Sequence, residues 1–185
     1  MKKIIPVILT IAVLAALVYA IYYNERYVRD YPMDFEDSVN KWAREYGVPR
    51  ELVYAVINVE SGFDSDAVSR ADAHGLMQLI QPTCDEMAER LGVDEYSIDD
   101  TDTNVRFGTY YLSYLYRYFK DWKSAVAAYN AGMGRVRNWL DDERYSDDGV
   151  TLKEIPIDET RRYVALVFED MEHYAGMIPI EESMQ

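Results

Sequence analysis

The stretch PRELVYAVINVESGF, Pro49 to Phe63, decides how the chain is read. Pro49 suits a first helical turn, where its missing N–H costs nothing, and Gly62 suits a helix end. Between them Leu52, Val53, Val56 and Ile57 recur at the spacing that lays an apolar stripe along one helix face. Glu60 comes four residues after Val56 and eight after Leu52, so it continues that stripe, where a carboxylate is out of place. If the stripe faces a core, desolvation keeps the acid protonated toward neutral pH, the state a general acid needs. The alternative is an acid at a helix end that turns to solvent, and periodicity alone does not separate the two.

Working outward, Asp34 is placed to cap a preceding helix whose face carries Phe35, Val39, Trp42 and Tyr46 and which Gly47 stops. Downstream, the pattern predicts helices near 83–91, 104–119, 122–130, 134–140 and 158–174. Acidic loops around 94–102 and 141–149 separate them, and no convincing strand alternation appears. No repeat of fixed period is present. The expectation is an all-α domain over 34–180, joined by a connector at 24–33 to an N-terminal segment, 1–23.

That segment has Lys2 and Lys3 ahead of an uncharged run from Ile4 to Tyr23. At ~1.5 Å per residue such a run crosses a ~30 Å hydrocarbon layer, and the lysines are expected to stay cytoplasmic. A single transmembrane helix over 4–23 with the domain on the extracytoplasmic side is expected. The alternative is a cleaved signal ending near Val18-Tyr19-Ala20, which secretes the domain.

Composition sets further bounds. With 49% hydrophobic residues the chain can build a core, and its net charge of −14 argues against nonspecific binding to nucleic acid. The one cysteine, Cys84, leaves no internal disulfide and no Cys/His zinc spacing. His74 and His173 lack partner spacing for metal or triad chemistry and read as solvated or structural, so neither metal nor cofactor is expected. Tyr110, Tyr111, Tyr114, Tyr116 and Tyr118 do not share one helix face, which argues against a common stacking platform.

The neighbours of Glu60 supply a resemblance. Glu60-Ser61-x-Phe63, Ser69, Gly75-Leu76-Met77-Gln78, Ala128-Tyr129-Asn130-Ala131-Gly132 and Glu159-Thr160-Arg161-x-Tyr163-Val164 follow in order, and together they resemble the soluble lytic transglycosylase domain. The resemblance covers roughly 35–178. It implies a goose-lysozyme-like helical fold with a cleft for peptidoglycan glycan strands and no cofactor. It also implies that Glu60 protonates the bridging oxygen and then takes a proton from the muramic acid 6-hydroxyl, which closes a 1,6-anhydro ring without consuming water. The substrate's N-acetyl group then shields the cation, so no second carboxylate is required, and Asp64 and Asp66 read as turn formers after Gly62.

On the same resemblance Ser69, Gln78, Tyr129, Asn130 and Glu159 line the cleft. Each also has a structural reading: Ser69 as a turn residue, Gln78 as a helix-end polar group and Tyr129 as a buried phenol bonded to backbone. Asn130 also reads as a helix terminator and Glu159 as a first-turn acid favoured by the helix dipole. The chain departs from the family in having Asp72 where glycine is usual, Ile80 where methionine is frequent, a proline that comes late at Pro82, and Met133 in place of proline. A hydrolytic muramidase of the same fold is the near alternative. A non-catalytic wall-binding component of an envelope assembly is the distant one.

Overall fold

The structure, a computed structural model, describes residues 12–21 and 31–178. The chain divides after Pro32 into two units. In the first, residues 12–21 are helical and exposed. Among the described residues no helix is long and apolar enough to cross a membrane. The rest of the expected 4–23 span, residues 4–11 and 22–23, lies outside the described residues.

The second unit is helical, as the spacing predicts, with helices α1 (Glu36–Tyr46), α2 (Arg50–Ser61), α3 (Gln81–Leu91), α4 (Thr101–Phe119), α5 (Trp122–Ala131), α6 (Met133–Leu140) and α7 (Asp158–Met177). Asp34 does not cap α1. Phe35 takes the N-cap position in the left-handed region, φ 61, without a side-chain cap bond, and the first-turn acids Glu36 and Asp37 face the positive end of the helix instead. The start of α4 is better served, because the Asp100 carboxylate accepts the Thr103 amide. Gly47, Gly62 and Gly92 end α1, α2 and α3 with positive φ, the backbone that glycine adopts without strain.

Helix α2 is the centre of the core. Every residue from Leu52 to Ile57 is buried, so the stripe broadens into a helix enclosed on all sides through its middle. Its main partner is α7, which presents Thr160, Tyr163, Val167, Asp170 and Tyr174 at helical spacing as buried residues. Tyr54 on α2 stacks between Phe63 and Tyr174. Helix α5, with buried Ser124 to Ala128, packs on α4 and α7 through side chains small enough for close approach.

One element was not expected. Between α2 and α3 a two-residue hairpin, β1 (Ala73–His74) and β2 (Leu79–Ile80), pairs antiparallel with His74 opposite Leu79. Strands this short leave no alternation to read in a sequence.

Candidate active site

The last turn of α2 carries Glu60, half-buried, on the side of the helix that meets α7. The Tyr163 hydroxyl of α7 donates to Glu60 Oε1 at 2.7 Å. Burial pushes the Glu60 carboxyl up from its ordinary 4.5 to about 7, and the Tyr163 hydrogen bond, which favours the charged form, only partly offsets that rise. With Oε1 occupied as an acceptor, the proton of the neutral acid belongs on Oε2.

The hairpin turn packs beside this helix end. Ser61 Oγ donates to the Leu76 carbonyl at 2.9 Å, which joins the residue after Glu60 to the turn. Asn104, buried at the start of α4, accepts the Met77 amide at 2.8 Å and donates to the His74 carbonyl at 2.8 Å. Gly75, at φ 69, has no room for a side chain because an added Cβ would stand 2.8 Å from Asn104 Nδ2. Met77 is fully buried as core packing.

The other predicted site residues divide into those at the turn and those on the surface. Gln78, at φ 45, donates through Nε2 to the Ala67 and Gly75 carbonyls, so its amide nitrogen braces the turn. Ser69 is exposed, and its hydroxyl accepts the Ala71 and Ala73 amides, the bonding of a turn residue. Tyr129 stands close enough to Glu60 for that carboxylate to oppose its ionisation, yet its hydroxyl donates to the Met77 carbonyl at 2.8 Å. The hydroxyl's partner is thus backbone and not the Glu60 carboxyl. Its ring leans on Tyr111 at 5.4 Å. Asn130 is exposed and accepts the Thr160 hydroxyl at 2.8 Å, fastening α5 to α7. Glu159 lies exposed in the first turn of α7. Asp64 and Asp66 are exposed, and Asp64 accepts the Asp66 amide in a local turn.

Tyr163 is the contact that sequence reasoning missed. It stands within the quoted Glu159-to-Val164 motif, and its signal was its place on the apolar face of α7, where a phenol needs a buried partner. Which partner depends on how α7 pairs with α2, residues 103 apart in the chain for this bond.

The helical domain thus half-buries the Glu60 carboxyl against a phenol from a neighbouring helix. The chain belongs to the transglycosylase SLT domain family, whose profile matches residues 37–150. It is 31% identical to the soluble lytic murein transglycosylase of Salmonella typhimurium, over 83% of this chain and 25% of that one. It is 32% identical to the membrane-bound lytic murein transglycosylase C of Photorhabdus laumondii, over 66% of this chain and 42% of that one. Among solved structures, an inactive mutant of the lytic transglycosylase Slt from Pseudomonas aeruginosa matches with a TM-score of 0.71 and 35% identity, covering 80% of this chain and 25% of that one. The 70 kDa soluble lytic transglycosylase of Escherichia coli matches with a TM-score of 0.72 and 27% identity, covering 84% and 26%. The chain thus spans about a quarter of the length of these soluble relatives. The lysozyme-like helical fold implied by the motifs is the fold observed.

Proposed function

We propose that this chain is a peptidoglycan lytic transglycosylase that cleaves the β-1,4 bond between N-acetylmuramic acid and N-acetylglucosamine with Glu60 as acid and then base. The observation that carries the reading is the half-buried Glu60 carboxyl, raised to about 7 and bonded through one oxygen to Tyr163. A group of that acidity both gives and retakes a proton near neutral pH, which the two halves of the reaction require. In the first half, Glu60 Oε2 protonates the bridging oxygen as its bond to the muramyl C1 breaks, which leaves an oxocarbenium ion and a carboxylate. In the second, the 6-hydroxyl oxygen bonds to C1 and its proton returns to Glu60. The 1,6-anhydro end forms with no water consumed. Tyr163, still donating to Oε1, stabilises the carboxylate between the two halves. The related Pseudomonas structure is of an inactive mutant in which glutamine replaces a glutamate, in keeping with a reaction that depends on a glutamate.

The same reading assigns Gln78, Tyr129, Asn130, Ser69 and Glu159 to the surroundings of the glycan strand, Gln78 and Tyr129 through the turn beside Glu60 and the others as outlying polar contacts. It places the catalytic unit outside the cytoplasmic membrane, held by the run 4–23 behind Lys2 and Lys3. Relatives named membrane-bound support an envelope location.

The deciding experiment is mass analysis of the muropeptides released from purified sacculi. Anhydro ends, one water lighter than reducing ends, and their loss in Glu60→Gln are expected. Reducing ends would make the protein a hydrolytic muramidase, and equal release by both proteins would remove Glu60 from the chemistry.

A further inference from the structure

The imidazole of His74, on β1, lies between two carboxylates. Its Nδ1 faces Asp99 Oδ1 at 2.8 Å and its Nε2 faces Asp72 Oδ1 at 3.2 Å. Among the described residues these are the two charged groups that act on the ring, Asp72 from the same hairpin and Asp99 from the segment leading into α4. A carboxylate only accepts, so both contacts are hydrogen bonds only when both ring nitrogens carry protons. In the neutral ring one nitrogen lone pair points at a carboxylate oxygen. Asp72 moreover holds φ 60, backbone that aspartate seldom adopts, at the position where its carboxylate reaches the ring.

The ring stands directly before the turn Gly75 to Gln78 and ties the hairpin that carries it to the segment leading into α4. Leu76 of this turn accepts the hydroxyl of Ser61, next to Glu60, and Met77 accepts the hydroxyl of Tyr129. We propose that the Asp72–His74–Asp99 clamp is a protonation-dependent positioning device that holds the hairpin turn against the Glu60 end of α2, with His74 as its positioning residue. The inference rests on the reading of Glu60 as the catalytic acid for its effect on rate, and on geometry alone for its effect on the turn.

Both carboxylates raise the basicity of His74 above its ordinary 6.5. The clamp is therefore fully present below that value, and one arm is lost as pH rises through the higher folded one.

The test uses the full chain in two arms. In a Glu60→Gln background, which removes the titration of the acid, His74 is followed by NMR and the Gly75 and Met77 amides by hydrogen exchange. His74 should titrate above 6.5, and protection of both amides should fall several-fold across the same range. Asp72→Gly and Asp99→Asn should each lower the His74 midpoint and flatten that change, and the glycine also suits the backbone at position 72. Amide protection that ignores the His74 titration overturns the proposal, whatever the activity. With Glu60 intact, kcat for anhydro-product formation should fall on the alkaline side in two steps, and Asp72→Gly should retain only the step due to Glu60, with KM unchanged. A loss of kcat in Asp72→Gly equal at every pH would mark a merely structural aspartate and also overturns it. Absence of glycan cleavage at any pH would refute the reading of Glu60 and leave the exchange arm to decide the clamp.

Discussion

The Tyr163 hydroxyl donates to Glu60 Oε1 at 2.7 Å, across the packing of α7 on α2. The bond opposes the effect of burial on the acid, so removing it should raise the Glu60 pKa further above about 7. Tyr163→Phe is therefore expected to shift the alkaline fall of kcat to higher pH. It should also lower the maximum, because the carboxylate formed midway loses its donor. Rates of anhydro-muropeptide release from pH 5 to 10 measure both effects. A midpoint moved downward would show that Tyr163 acts on the acid in some other way.

Glu60 itself is costly to the fold once ionised. The folded state holds its proton up to about pH 7, whereas the unfolded chain releases it near 4.5. The penalty is absent below 4.5, grows between the two values and is complete above about 7. At ~1.4 kcal/mol for each tenfold change in acidity the penalty is on the order of 3 kcal/mol. Glu60→Gln keeps an acceptor for Tyr163 and carries no charge, so it should unfold at a higher temperature than the parent at pH 8 and at nearly the same temperature at pH 4. Thermal denaturation followed by circular dichroism at the two pH values tests this, and a gain of equal size at both would rule out ionisation as its source.

These relationships mark the limit of what the sequence made legible. That Glu60 continues the apolar stripe was readable because helix periodicity is local, whereas its turn toward α7 rather than solvent was not, and the endings at Gly47 and Gly62 were readable because left-handed caps select glycine. Tyr163 was not readable as its partner, since helix pairing between distant segments leaves no periodic trace. Ser69 and Gln78 carry short-range bonds to the turn's own backbone, at a position where a polar residue fits a sugar contact and a turn brace equally well. The N-cap of α1 passed from Asp34 to Phe35, a residue whose left-handed backbone no propensity predicts.

Tyr129 and Tyr163 both sense the charge on Glu60, but their hydroxyls bond differently, Tyr163 to the acid and Tyr129 to the Met77 carbonyl. Tyr129→Phe should therefore leave the pH midpoint of the reaction almost in place and instead destabilise the domain. Loss of one hydrogen bond to a buried carbonyl costs about 1–2 kcal/mol. Urea unfolding and the pH–rate profile, run on the same preparation, separate the two tyrosines. A midpoint shift in Tyr129→Phe as large as that in Tyr163→Phe would place both hydroxyls on the acid.

Gly108, in the middle of α4, is a position where two effects compete. Alanine is the better helix former by about 1 kcal/mol, so propensity alone favours Gly108→Ala. An added Cβ, however, would stand 2.4 Å from Met77 Sδ and 2.8 Å from Met77 Cβ. The second contact is close to the backbone of the turn, and a rotation of the methionine side chain does not relieve it. Overpacking of this kind costs about 1–3 kcal/mol, so the steric effect outweighs the propensity gain and the substitution should destabilise the domain. The displacement has a direction as well, because Met77 pushed off α4 carries the carbonyl that Tyr129 bonds and the turn that Ser61 bonds. Glycan cleavage by Gly108→Ala should accordingly fall even at temperatures where the variant is fully folded. Unfolding midpoints in urea, together with kcat measured well below the transition, check both halves. A variant more stable than the parent would show that the turn yields to the methyl group without loss.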